Sequence, residues 1–197
     1  MKRILFIGNS YTFFHDMPTA IFAPLAESIG YSFDVTAVTR GGYRLSQFAD
    51  PENEEGARLR RTVAGQHYDC VVLQEQSCTP ITDEARFLRG VADLRDLLGA
   101  QADHFVLYAT WGRKEGSPQL SDLGLTRLEM TDRLALAYDR AATANGMTVA
   151  HVGCAFAAHL TEHPEDELYN PDLSHPSELG SRVAAETILG AVIEAIK

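Results

Sequence analysis

Short runs rich in Val, Ile, Leu, Phe and Tyr recur along the chain, separated by longer stretches in which apolar positions return every three or four residues. The short runs, Arg3 to Gly8, Ser32 to Val38, Asp69 to Leu73, His104 to Ala109 and Thr148 to Val152, predict five strands. The longer stretches predict helices over Pro18 to Ser28, Glu52 to Ala64, Asp83 to Leu98, Asp122 to Asn145, Cys154 to Glu162 and Pro176 to Ile196. Strands and helices alternate throughout. A strand can lie parallel to its predecessor only if the chain crosses back over the sheet, and helices make that crossing. The pattern therefore predicts an α/β protein, a three-layer α/β/α sandwich on a parallel five-stranded sheet, with residues 1–197 forming one domain.

Two connections stand out as irregular. Gly112 to Ser121 follows the fourth strand, and His163 to Ser174 precedes the last helix, whose first turn begins with Pro176, where a missing N–H costs nothing. Both should overhang the carboxyl edge of the sheet, where α/β proteins carry their chemistry.

Composition narrows the class of partner. The chain has 197 residues, 45% hydrophobic residues and a formal net charge of −10. That balance argues against a nucleic-acid partner, which needs clustered Lys and Arg to displace counterions. The three cysteines, Cys70, Cys78 and Cys154, form no Cys-x-x-Cys pair and cannot all be paired, which favours a reducing compartment. Met1-Lys2-Arg3 is basic, but the apolar run after it stops at Gly8, too short for a signal-peptide core, and nothing approaches a membrane span. The expectation is a cytoplasmic protein without a membrane partner, unless a leader was removed.

Candidate chemistry sits at the two ends of the chain. The first strand closes in Gly8-Asn9-Ser10 and turns at once into a helix, which places the Ser10 hydroxyl at the carboxyl edge of the sheet. Near the other end, Asp172-Leu173-Ser174-His175-Pro176 puts an acid three residues before a histidine. A serine hydroxyl is a poor nucleophile at its own pKa, so a base must take its proton during attack. His175 is the candidate base. Asp172 is the candidate acid that accepts the other ring N–H, sets the tautomer and stabilises the imidazolium.

Four blocks in this order resemble the SGNH, or GDSL-type, hydrolases, a superfamily of esterases and lipases. Gly8-Asn9-Ser10-Tyr11-Thr12 is similar to the nucleophile block, with Asn9 where an aspartate is usual. Gly41-Gly42 looks like the glycine block, Gln74-Glu75-Gln76-Ser77 stands where an asparagine is usual, and Asp172 to Ser177 resembles the closing block. The glutamine-type third block is closer to the carbohydrate acetylesterases of the superfamily. The resemblance implies a flavodoxin-like sandwich, a catalytic set of Ser10, Asp172 and His175, and an oxyanion hole made by the Ser10 N–H, the Gly42 N–H and the Gln74 amide. Gln76 points to the same side of the strand as Gln74 and is the alternative donor. No cofactor and no metal is implied. The substrate implied is a small-molecule ester bearing a short acyl group such as acetyl, on a carbohydrate or small polar alcohol, with Tyr11, Tyr43 and Trp111 as candidate residues to line its site.

Three other readings compete. A flavodoxin-like binding module would need no reactive serine, yet it would want a glycine- or hydroxyl-rich loop after the first strand, where this chain has Tyr11, Phe13 and Phe14. His159-Leu160-Thr161-Glu162-His163 matches the H-x-x-E-H pattern of a zinc hydrolase, although Pro164 ends that helix and no third ligand is evident. Cys154, among apolar neighbours, is expected to be a small core residue and not a nucleophile. The segment Pro51 to Arg61 carries acids early and bases late, as a surface helix does.

Overall fold

All five apolar runs are strands in the computed structural model, which describes residues 1–197. They are β1 (Lys2–Gly8), β2 (Phe33–Thr39), β3 (Tyr68–Leu73), β4 (Ala102–Ala109) and β5 (Thr148–His151), all parallel, in the order β2-β1-β3-β4-β5. This is the flavodoxin-like order, and the direction of winding reverses between β1 and β3. The register pairs Gly8 with Thr39, Ile7 with Leu73, and Leu73 with Leu107, so the strands end together along one edge.

Side-chain alternation on the strands feeds two separate cores. Ile4, Phe6, Val72, Val106 and Tyr108 point to one face, where Phe22, Ala26, Phe156 and Ile188 cover them. Leu5, Ile7, Val71, Leu73 and Leu107 point to the other, against Leu45, Phe48, Leu59, Phe87 and Tyr138. The first face is layered by α2 (Ala23–Ser28), α9 (Val152–Glu162) and α10 (Glu178–Ala195). The second is layered by α3 (Leu45–Ala49), α4 (Glu54–Val63), α6 (Glu84–Leu98) and α8 (Arg127–Asn145). Each fully buried Leu or Phe contributes roughly 1.5–3 kcal/mol. No helix is long and apolar enough to cross a membrane.

Short elements at the sheet edge refine the expected pattern. Ser10–Phe13 is a single helical turn, α1, followed by Phe14–Asp16, where His15 (φ 57°) and Asp16 (φ 48°) are left-handed. The helix expected over Pro18 to Ser28 is instead a π-helical stretch, Met17–Phe22, running into α2. Pro24 has no N–H to return to Ala20, and the wider winding accommodates that loss. Thr79–Thr82 forms another single turn, α5. The helix expected over Asp122 to Asn145 is broken: α7 (Pro118–Leu123) ends at left-handed Gly124, and α8 starts afresh behind a capping box in which Thr126 and Glu129 satisfy each other's backbone N–H groups. Cys154 is exposed on α9, contrary to its expected place in the core, because it lies on the helix face opposite buried Phe156.

Gly8 marks how tightly the edge is built. A Cβ there would stand 2.4 Å from Thr12 Oγ1 and 2.7 Å from Gln74 Oε1, two atoms that are themselves hydrogen-bonded. Gly8→Ala should therefore lower stability by about 1–3 kcal/mol. Urea unfolding checks this, and an unchanged midpoint would mean that the turn opens at no cost.

Candidate active site

The turn after β1 is held by one side chain. Asn9 is the N-cap of α1: its Oδ1 accepts the Tyr11 N–H at 3.2 Å, and its Nδ2 donates to the Tyr43 carbonyl at 3.0 Å. The first bond orients Ser10 at the start of the turn, where its N–H has no intrahelical acceptor. The second ties the Gly41-Gly42 loop to the same corner. Gly42 is left-handed (φ 74°) and its N–H meets no protein acceptor.

The loop before α10 delivers the other half. Asn170 N–H donates to the His175 carbonyl at 2.8 Å and Leu173 N–H to the Asn170 carbonyl at 2.9 Å, closing a compact turn. Leu173 sits at φ 63°, a conformation that costs a non-glycine residue about 1 kcal/mol or more. Asp172 offsets that cost, since its Oδ1 accepts the N–H groups of Ser174 (3.0 Å) and His175 (2.9 Å). Its other oxygen, Oδ2, meets His175 Nδ1 at 2.5 Å, and His175 Nε2 meets Ser10 Oγ at 2.8 Å. Burial raises the Asp172 pKa, but the bonds from the His175 ring and the two N–H groups outweigh it and hold the carboxyl below its usual value. With Nδ1–H donated to Asp172, the free Nε2 lone pair faces the Ser10 hydroxyl. Phe14 stacks on the imidazole at 4.3 Å, and Tyr11 meets it edge-on at 5.5 Å.

A cavity of about 210 Å³ opens over Ser10 and His175, walled by Gly42, Gln76, Ser77 and Arg113 among others. Gln76, and not Gln74, reaches it. The Gln74 side chain is buried behind the turn, where its Oε1 accepts Asn9 N–H and Thr12 Oγ1 (both 2.9 Å) and its Nε2 donates to the Glu75 carbonyl. The expected placement of Gln74 at the open edge is thus corrected: it is a strut between β1 and β3. Gln76 has its Oε1 fixed by the N–H groups of Cys78 (2.9 Å) and Thr79 (3.1 Å), which leaves Nε2 with only a long contact, 3.4 Å, to Ser77 Oγ.

The aromatic candidates divide. Tyr11 lines the cavity, though its hydroxyl is engaged with Ser174 Oγ at 2.9 Å. Trp111 is corrected: it is fully buried, stacked between Tyr11 (4.5 Å) and Phe156 (4.2 Å), and its Nε1 donates to the Ser174 carbonyl at 3.0 Å. It braces the residue next to His175 and cannot line a substrate. Tyr43 packs on Phe48 at 5.6 Å and lies outside the cavity wall. Three residues that were not site candidates enter instead: Phe14 on the imidazole, and Arg113 together with Ser77, the last residue of the third block, in the wall. His159 bonds Asp166 at 2.8 Å, and neither it, Glu162 nor His163 joins a group of three metal-holding side chains.

No protein-family model matches this chain, and no curated protein does. Among solved structures, a protein of Slackia heliotrinireducens assigned to the SGNH hydrolases is 35% identical, with a TM-score of 0.83 over 96% of this chain and 98% of its own. A DUF4886 family protein of Bacteroides uniformis is 17% identical, with a TM-score of 0.82 over 98% of this chain and 83% of its own. The acetyl xylan esterase AlAXEase is 17% identical, with a TM-score of 0.71 over 96% of this chain and 99% of its own. The last two likenesses concern the fold alone.

Behind the cavity, Glu75 is an ionisable group in the interior. Burial pushes its pKa up to about 7 from an ordinary 4.5, against the opposing N–H groups of Gln76 and Leu45 and the charges of Arg44 and Arg86. Between those values the folded chain keeps a proton that the unfolded chain has lost, so stability falls as pH rises through this window and levels off above it. Glu75→Gln cannot ionise. The stability of the natural protein relative to that variant should drop by about 2 kcal/mol between pH 5 and pH 8. Urea unfolding at both pH values measures it, and a constant difference would contradict the raised pKa.

Proposed function

The chain belongs to the SGNH hydrolases, and from that membership we propose that it is a serine esterase that works through an acyl-enzyme on Ser10. The observation that carries this reading is the continuous chain of hydrogen bonds from Ser10 Oγ through His175 to Asp172. As Ser10 Oγ attacks the ester carbonyl carbon, its proton passes to His175 Nε2, and Asp172 stabilises the imidazolium that results. The tetrahedral intermediate collapses when His175 returns the proton to the leaving alkoxide, giving the free alcohol and an ester on Ser10. Water then attacks that ester with His175 again as base, and the acid departs.

Three donors converge on the position of the developing oxyanion in this reading: the N–H groups of Ser10 and Gly42, and Gln76 Nε2. Backbone rigidity at Asn9 and the fixed Gln76 carbonyl preorganise them, which is what makes such donors effective. The small cavity, lined mostly by residues that carry polar groups, favours a short acyl group, acetyl above all, on a carbohydrate or other small polar alcohol. The acetyl xylan esterase among the fold relatives points the same way.

Hydrolysis of para-nitrophenyl acetate tests the reading. The natural protein should turn it over. Ser10→Ala and His175→Ala should each lose all but background, while an active Ser10→Ala protein would end the proposal. Gln76→Ala should lower kcat by about 100-fold or more with little change in KM, whereas Gln74→Ala should act mainly through stability. A larger kcat loss in Gln74→Ala at unchanged stability would return the donor role to Gln74.

A further inference from the structure

Resting on the esterase reading, we propose that the site takes an ester that carries a carboxylate, on its acyl or its alcohol half, and that Arg113 recognises that charge. The cavity wall carries a charge imbalance. Arg113 stands in the connection between β4 and α7 and lines the same cavity as Ser10 and His175. Its Nη2 donates to Ser77 Oγ at 2.8 Å and its Nη1 to Ser174 Oγ, both neutral hydroxyls. Its Nε is buried and donates to nothing. No carboxylate lies within ion-pair distance of it; half-buried Arg44 and Arg60 share that lack, but Arg113 alone of the three stands in the cavity wall beside Ser10. In a chain whose net charge is −10, a missing counter-ion is not for want of acids.

A half-buried guanidinium without a counter-ion costs stability, and such cost is tolerated where a ligand relieves it. A planar guanidinium fork suits a carboxylate in a way that a lysine would not; two of its five N–H groups are engaged by the serines and the Nε–H is closed off, which leaves one N–H on each terminal nitrogen for a ligand. The fork is also held in place: its Cζ lies 5.8 Å from the Tyr11 ring centroid, and the two hydroxyls come from separate loops. No acidic side chain belongs to the cavity wall, and the nearest charge behind it, Asp172, is paired with the His175 ring.

The same contacts give Arg113 a second potential use, as a strut joining the loops of Ser77 and Ser174, and the test must separate the two. Two isosteric pairs do so by titration of released acid. Ethyl hydrogen succinate against ethyl levulinate places the charge on the acyl half, and O-acetylglycolate against its amide places it on the alcohol half. The natural protein should favour the charged member of one pair by about 10-fold or more in kcat/KM, and added salt should shrink the preference. The pair that shows it identifies the half. Arg113→Gln should abolish the preference while changing the neutral ester far less, and Arg113→Lys, which keeps a charge and the fold, should retain part of it. Equal kcat/KM within both pairs for the natural protein, or an equal loss on charged and neutral esters in Arg113→Gln, overturns the inference and leaves a strut. Calorimetry on Ser10→Ala protein separates this from the esterase reading. Tighter binding of the charged ester that disappears on adding Arg113→Gln upholds the anion site even if nothing is hydrolysed. Equal binding of both members, with hydrolysis intact, removes the anion site and leaves the esterase.

Discussion

A single 2.8 Å hydrogen bond, Ser10 Oγ to His175 Nε2, joins two residues 165 positions apart, and most of the sheet edge is built to hold it. Neither partner can find the other through local structure. Ser10 is fixed because β1 lies inside the sheet, flanked by β2 and β3, and because Asn9 caps the turn that follows. His175 is fixed from three sides. Asp172 holds its backbone and ring, Phe14 covers its face, and Trp111 grips the neighbouring Ser174 carbonyl. The stack of Tyr11, Trp111 and Phe156 carries that grip into the core between the sheet and α10, so the apolar packing of one layer sets the position of a polar atom.

The layers were legible in the chain because parallel strands buried on both faces read as continuous apolar runs, and all five appear within about two residues of their expected bounds. Ser10, Asp172 and His175 were legible for a related reason. A strand that stops in a small-residue turn is read from where the strand ends, and an acid three positions before a histidine can meet it within one turn of chain, so both patterns are local. The break at Gly124 also had a local signal, since Thr126-Arg127-Leu128-Glu129 is a capping-box sequence, but the helical periodicity on both sides masked it.

What misled was depth and direction at the edge. Trp111 follows β4 by two residues, and a strand end says nothing about whether the ring turns outward to solvent or inward to Phe156. Gln74 and Gln76 share a strand parity, yet β3 ends at Leu73 and the chain then bends, so parity ceases to apply: Gln74 folds back beneath the Asn9 turn and Gln76 reaches the cavity. Arg113 had no signal at all. Its place is set by two hydroxyls from two other loops, a relation that exists only once the fold has formed. Apolar neighbours say little about Cys154, because adjacent residues on a helix face different sides.

The central claim is that the hydrogen-bonded chain makes Ser10 the nucleophile. Treatment with a fluorophosphonate, followed by intact-mass measurement and peptide mapping, tests it most directly, because the reagent reacts with a serine only when a neighbouring base draws off its proton. The account predicts one label per chain, on the peptide that holds Ser10, and none on His175→Ala protein. A label on another serine, or an active protein that takes no label at Ser10, would contradict it.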